Sequence, residues 1–384
     1  MQRIAHQERP DWQARAERNG FKFHTIEGER YWDERHYYAF TLDQVEKDLE
    51  APTEELHHMC LDLVGRVVRD EQLLKRLGIP EAFFDPIAES WREGHPHLYG
   101  RFDLVYDGKR PAKMIEANYD TPTSIYEAAA FQWDWLEDGM ARGLLPQGSD
   151  QFNSIEERLG QAFQALRLKH PFYFASIDGS EEDKGTCDYL RAVAEKAGLE
   201  TEHLYLQEIG LKEGRFVDLQ DRWIPHIFKL HPWEFIFEED FGAAVAKSDT
   251  QFIEPMWKAI ISNKGMLPLL WEMHRGHPNL LECHVDTTRS APVPPGWVRK
   301  PFFSREGSNI ELHTATGERE VVDGPYGDSP QILQRCAPLP RFGQDYTLIG
   351  SWVIGDCAAG IGIREDSTLV TKDSSRFVPH LIKA

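Results

Sequence analysis

Residues 99–118 read as an antiparallel hairpin, and the hairpin decides where this chain can gather its polar chemistry. Tyr99-Gly100-Arg101-Phe102-Asp103-Leu104-Val105-Tyr106 runs into Asp107-Gly108, a turn dipeptide, and Ala112-Lys113-Met114-Ile115-Glu116-Ala117-Asn118 returns. Side chains two apart on a strand share a face, so Arg101 and Asp103 project together, away from Phe102 and Leu104. Glu116 and Asn118 share a face for the same reason. If the two polar faces coincide, Asp103, Glu116 and Asn118 place three oxygen-bearing groups beside one guanidinium. Hard oxygen ligands of this kind suit Mg²⁺, which keeps some of its waters and takes phosphate oxygens as well. Arg101 could then hold an anion or stabilise a developing oxyanion. The plain alternative is a solvated strand face carrying surface ion pairs. Thr121-Pro122-Thr123-Ser124 follows and puts hydroxyls at an expected helix N-cap.

The rest of the chain reads as a mixture of elements without internal repeats. The first 95 residues or so read mainly helical, with Leu56, Met59, Leu63 and Val67 spaced by three and four and Gly78 closing the pattern. Tyr31-Trp32, Tyr37-Tyr38 and Phe40 form an aromatic cluster expected to pack in a core. A helix is predicted from about Ser124 through Trp135. Strands near 172–177 and 202–207 with a helix at about 183–197 between them predict alternating elements, followed by Trp223–Lys229. Helical stretches near 255–275 and a strand-rich last 90 residues complete a lobed α/β reading. With no long linker, 1–384 is expected to be one catalytic domain with a helical part at about 1–95, a central lobe at about 96–260 and a last lobe at about 261–384.

Composition narrows the function. Lys and Arg number 43 against 63 Asp and Glu, a formal charge of −20, which disfavours nucleic-acid binding although it leaves room for a local basic pocket. No apolar run approaches the ~20 residues of a membrane helix. The first residues have no apolar signal core. Five scattered cysteines with no CxxC pair predict reduced thiols in the cytoplasm. The sixteen histidines show no zinc-like spacing, and neither a GxxxxGK[ST] loop nor a GxSxG elbow occurs.

The stretch YGRFDLVYDG…KMIEANYDTPTS resembles the synthetase module of the glutathionylspermidine synthetases, and still more the stand-alone acid–amine ligase-like members of that family. Further segments resemble the family in the same order: Asp178-Gly179-Ser180-Glu181-Glu182, Trp257 to Pro268, Lys300 to Asn309, and Gly362-Ile363-Arg364 through Leu369-Val370. The amidase half of the bifunctional members has no counterpart here. The resemblance implies an ATP-grasp fold with a mobile lid over the nucleotide. It implies an ATP- and Mg²⁺-dependent ligase that activates a carboxylate as an acyl phosphate and condenses it with an amine. Asp103, Glu116 and Asn118 match the metal ligands, for what would be two Mg²⁺ ions. Arg101 and Arg364 match the catalytic arginines. Arg101, Asp103, Lys264, Lys300, Arg305, Gly307, Ser308, Gln334, Leu369 and Val370 fall at nucleotide-contacting positions. Thr121, Thr123, Glu181 and Glu182 fall at substrate positions, the acidic pair on the side of an amine or polyamine.

Two departures bear on the acid. Thr121 and Thr123 stand where the family has serines, and Leu230 stands where it has a threonine that helps hold glutathione. Leucine cannot make that bond, and an unsatisfied buried group costs roughly 1–3 kcal/mol. A different small-molecule or peptide carboxylate is therefore expected. No nucleic-acid or membrane partner is expected, and a homo-oligomer is compatible with the sequence. A metabolite kinase and a nucleotide-binding regulatory or scaffold protein remain as alternatives.

Overall fold

In the computed structural model all residues are described except 27, 289–290, 306 and 373–374. The hairpin forms from Tyr99–Val105 and Lys113–Asn118, with Arg101 opposite Asn118 and Asp103 opposite Glu116. A register slip follows Asp103, so the hairpin bends just past the polar face. On its other edge Tyr99–Val105 pairs with the long strand Asp345–Ile354, which pairs with Cys357–Asp366, and that with Arg376–Val378. Every one of these pairings is antiparallel. Behind this sheet lies the helix Ala51–Val67, whose Leu56, Met59, Leu63 and Val67 are all buried, as their spacing predicts. Phe102 and Leu104 join the same core, and Thr53 meets Ser351 across the interface at 2.7 Å. Apolar packing on that face leaves Arg101 and Asp103 to project from the other.

A second sheet is parallel, in the order Gln251–Ile253, His226–Lys229, Phe172–Ser176, Thr201–Tyr205. The helix Glu181–Lys196 carries the chain from Phe172–Ser176 to one neighbour, and the chain later returns to the other side. The strand order thus reverses between Phe172–Ser176 and His226–Lys229. Carboxyl ends at such a reversal open a crevice, because the connections leave in opposite directions. Ile177 and Leu230 follow those ends. A third, antiparallel sheet runs Cys283–Val285, Gln331–Arg335, Trp297–Pro301, Glu311–His313, Arg319–Val321.

The N-terminal part is less purely helical than its sequence predicts. Gln2–Ala5 and His36–Phe40 are strands, joined by His380–Ile382 from the other end of the chain. Aromatic content (Tyr37, Tyr38 and Phe40) explains His36–Phe40, and its partners lie too far along the chain for local spacing to show them. The aromatic cluster is core, with Tyr31, Trp32, Tyr38 and Phe40 buried. The helix expected from Ser124 starts one residue later. Ser124 takes a left-handed φ of 70°, and the helix winds as a π-turn over Glu127–Phe131 before continuing as Gln132–Ala141. The mixed α/β class agrees with the sequence. Among the described residues no helix is long and apolar enough to cross a membrane.

Candidate active site

The three sheets meet around a cavity of about 450 Å³. The antiparallel hairpin sheet contributes Arg101, Asp103, Glu116, Asn118 and Arg364, and the third sheet Lys300 and Gln334. The crevice of the parallel sheet contributes Ile177, Ser180, Glu182, Asp183 and Leu230. Thr121, Thr123, Lys264, Arg305, Gly307, Leu369 and Val370 also line it. Residues picked from segments more than 250 positions apart therefore converge on one space. Two of the expected residues are outside the lining. Glu181 is exposed on the first turn of its helix, and Ser308 packs where a Cβ on Gly324 would meet it at 2.6 Å. Glu306, between Arg305 and Gly307, lies outside the described residues.

At the centre, Arg101 is held by Asp103 and by the Thr123 carbonyl. Its Nε donates to Asp103 Oδ1 at 2.7 Å, Nη2 to Oδ2 at 3.2 Å, and Nη1 to the Thr123 carbonyl at 3.0 Å. Gly350, paired with Asp103 on the neighbouring strand, makes room, since a Cβ there would stand 2.9 Å from Arg101 Cδ. Arg364 reaches Asp103 Oδ2 at 3.6 Å from the next strand. Asn118 Oδ1 accepts the Thr121 N–H at 3.2 Å, which fixes the turn out of the hairpin.

Two lysines bracket Glu116. Lys264 Nζ stands 3.4 Å from its Oε2 and donates to the Ser304 carbonyl at 2.5 Å. Lys300 Nζ is buried and donates to Gln334 Oε1 at 3.0 Å and to the Ile115 carbonyl at 3.1 Å. Burial alone would raise the Glu116 carboxyl, but Lys264, Lys300 and Arg101 hold it down to about 2. Burial lowers the Lys300 ammonium, and Glu116 opposes that. Glu116 is thus a fixed anion, and it opposes the loss of charge that burial favours on Lys300.

Among the lining residues seven Lys or Arg side chains face four carboxylates. In a chain of net charge −20 that local excess of positive charge is chemistry that suits a polyanion. Among the described residues no three His, Cys, Asp or Glu side chains form a metal cage. Two carboxylates and an amide on one sheet face fit a hard cation that takes its other ligands from water and substrate oxygens, as Mg²⁺ does. The Leu369 N–H, a backbone group expected to face the nucleotide, donates to Glu320 at 2.9 Å. Gly307 comes against Val370, where a Cβ would meet Val370 Cγ1 at 2.6 Å, and its φ of +73° also requires glycine.

Further contacts, some through residues outside the expected set such as Glu234, Lys229 and Asp183, complete the site. Arg305 Nη1 donates to Thr121 Oγ1 at 3.0 Å and Nη2 to Glu234 at 2.5 Å, so Arg305 is tied to the turn that leaves the hairpin. Buried Lys229 donates to Asp120 at 2.5 Å, and Asp120 accepts the Trp233 N–H at 2.7 Å, anchoring the turn from beneath. Ser124, Ser180 and Asp183 line the acidic side.

Comparison with known proteins places this architecture. A family model described as "Glutathionylspermidine synthase preATP-grasp" matches residues 3–383. A Haemophilus influenzae protein named "Putative acid–amine ligase" is 38% identical over 97% of this chain and 97% of that protein. The bifunctional glutathionylspermidine synthetase/amidase of Escherichia coli is 27% identical over 91% of this chain, which spans 60% of that longer protein. Among solved structures, a glutathione-synthetase-like effector from Globodera pallida shares the fold, with a TM-score of 0.54 and 10% identity, covering 90% of this chain and 89% of that one. The match of the family model from end to end, joined to a relative of equal length, establishes that this chain belongs to the glutathionylspermidine synthase family, a family of carbon–nitrogen ligases.

Proposed function

We propose that this chain condenses a carboxylic acid with an amine at the expense of ATP, by way of an acyl phosphate. The observation that carries this reading is that one cavity joins a cation-rich half around Asp103 and Glu116 to Glu182 and Asp183, which enter from the parallel sheet. The first half suits a polyphosphate, the second an ammonium group. On this reading the sheets bearing the hairpin and Lys300 form an ATP-grasp cleft, with its lid within the lobe at about 261–384. The division into a helical part, a central lobe and a nucleotide lobe from about residue 261 follows the same scheme.

The residues divide the work by position. Asp103, Glu116 and Asn118 would hold Mg²⁺, which neutralises and orients phosphate oxygens when bound. Lys264 and Lys300 hold the phosphates between them. Arg101, braced by Asp103 and the Thr123 carbonyl, presents its outer edge with Arg364 to the transferring phosphoryl group and then to the tetrahedral oxyanion. Thr121 and Thr123 face the acid, and Leu230 supplies apolar contact where a hydroxyl would be needed for glutathione. The acid is therefore a different small-molecule or peptide carboxylate.

Two outcomes follow. Incubation with Mg-ATP and a metabolite extract is expected to yield a species weighing acid plus amine minus water, with ADP formed alongside, when scored by mass spectrometry. A phosphorylated metabolite alone would make the protein a kinase, and Mg-ATP bound without ADP would make it a binding protein. Gly350→Ala is expected to push Arg101 off its seat and to lower ADP release by about a hundredfold at little cost in melting temperature. Wild-type turnover in that variant would remove Arg101 from the mechanism.

A further inference from the structure

Beneath the acidic side of the cavity lies a polar group that the mechanism above leaves unused. Glu127 is buried, and its Oε1 accepts the Tyr31 hydroxyl at 2.6 Å. The same Tyr31 oxygen stands 3.3 Å from Ser124 Oγ, and Ser124 and Glu182 both line the cavity. A continuous file of three oxygens thus leads from the cavity wall to an enclosed carboxyl. The backbone is bent to make it. Ser124 holds a left-handed φ of 70°, and the π-wound turn begins at Glu127. Strain and π-turns of this kind concentrate where a side chain must be aimed.

An amine that binds beside carboxylates arrives as an ammonium ion, which has no lone pair with which to attack. We propose that Ser124, Tyr31 and Glu127 form a relay that takes a proton from the incoming ammonium, so that the free amine reaches the activated carboxyl carbon. This rests on the ligase reading above. In the step, an ammonium N–H bond breaks and its proton passes to Ser124 Oγ. The Ser124 proton moves to the Tyr31 oxygen, and the Tyr31 proton moves to Glu127. The freed nitrogen pair forms the C–N bond while the carboxyl carbon's bond to the phosphate oxygen breaks. Phosphate leaves with that electron pair and carries off the second nitrogen proton, so an amide, hydrogen phosphate and protonated Glu127 result.

The surroundings suit a group that changes charge in turnover. Facing Glu127 are the Tyr31 phenol, the Glu182 carboxylate from the helix Glu181–Lys196, the Arg364 guanidinium from the central sheet and Tyr126 on its own helix. Burial and then Glu182 push the Glu127 carboxyl up to about 7, against the Tyr31 hydrogen bond and Arg364. A carboxyl poised there can accept a proton and return it near neutral pH. Glu127 acts through Tyr31 and Ser124, so it is a positioning and proton-holding residue.

Two small nucleophiles separate this role from a structural one. Hydroxylamine is uncharged at neutral pH, whereas methylamine is an ammonium ion. With Mg-ATP and the acid found by the product screen, Glu127→Gln is expected to slow methylamide formation about a hundredfold while hydroxamate formation stays within about twofold. The rise in methylamide rate near neutral pH should vanish in this variant. Tyr31→Phe, which keeps the ring and cuts the file, should show the same selective loss. Equal loss with both nucleophiles, or no loss with either, would overturn the relay. Should no acid give either product, the ligase reading fails instead, and an infrared titration decides the relay by itself. A carboxyl band absent from Glu127→Gln and titrating near neutral pH supports it. Glu127 ionised throughout about pH 5–9 overturns it.

Discussion

Glu116→Gln is expected to lower ATP turnover by about three orders of magnitude, measured as ADP release, with the fold intact by circular dichroism. The size of the effect comes from two losses at once. The variant lacks the one carboxylate that two lysines and Arg101 keep ionised far below neutral pH. It also removes the main support for the Lys300 charge. Burial already lowers that ammonium, and Glu116 is the strongest group opposing the shift. A lysine with a lowered pKa is charged at low pH and neutral above its midpoint. The residual ATP affinity of Glu116→Gln should therefore begin to weaken at a lower pH than that of wild type. Asp103→Asn and Lys300→Ala should lose turnover comparably. Wild-type ADP release in any of the three would show that the site has been assigned wrongly.

The largest effect on stability is expected from Lys229→Met. Lys229 and Asp120 are both buried, 2.5 Å apart, and Asp120 also accepts the Trp233 N–H. Removing one member leaves an uncompensated buried charge, which costs about 3–5 kcal/mol. Burial already raises the Asp120 carboxyl even with the lysine present. Without it the carboxyl rises further, so the folded state binds a proton that the unfolded state releases. Stability tied to such a group is present below the unfolded pKa and is lost as pH rises through the folded one. The deficit of Lys229→Met against wild type should therefore shrink toward acid pH, and the double variant with Asp120→Asn should recover most of it at neutral pH. Urea unfolding of the four proteins at two pH values measures both. Additive losses would mean that the two side chains do not interact as a pair.

How much of this was legible in the sequence depended on whether a signal was local. The hairpin was, because strand alternation and Asp107-Gly108 lie within twenty residues, and the register then set Asp103 opposite Glu116. The helix Ala51–Val67 was legible from its apolar spacing. The convergence of Lys264, Lys300 and Arg364 on that hairpin was not a matter of periodicity; only resemblance to a family linked those segments. The strand His36–Phe40 was hidden because its partners lie at both ends of the chain. Glu127 escaped for a similar reason, since its partner Tyr31 is 96 positions away and the π-turn that aims it follows no apolar period. Ser124, expected as a helix cap, instead turns its hydroxyl to Tyr31. Lys229 and Asp120 pair across 109 positions, a contact that no local pattern shows.

The acyl phosphate is the centre of the account, and isotope transfer tests it directly. The acid identified by the product screen, labelled with ¹⁸O in its carboxyl group, is turned over with Mg-ATP and its amine. Activation by phosphoryl transfer predicts one labelled oxygen in every phosphate released, because the carboxyl oxygen leaves with phosphorus. Phosphate free of label, with amide still formed, would contradict it.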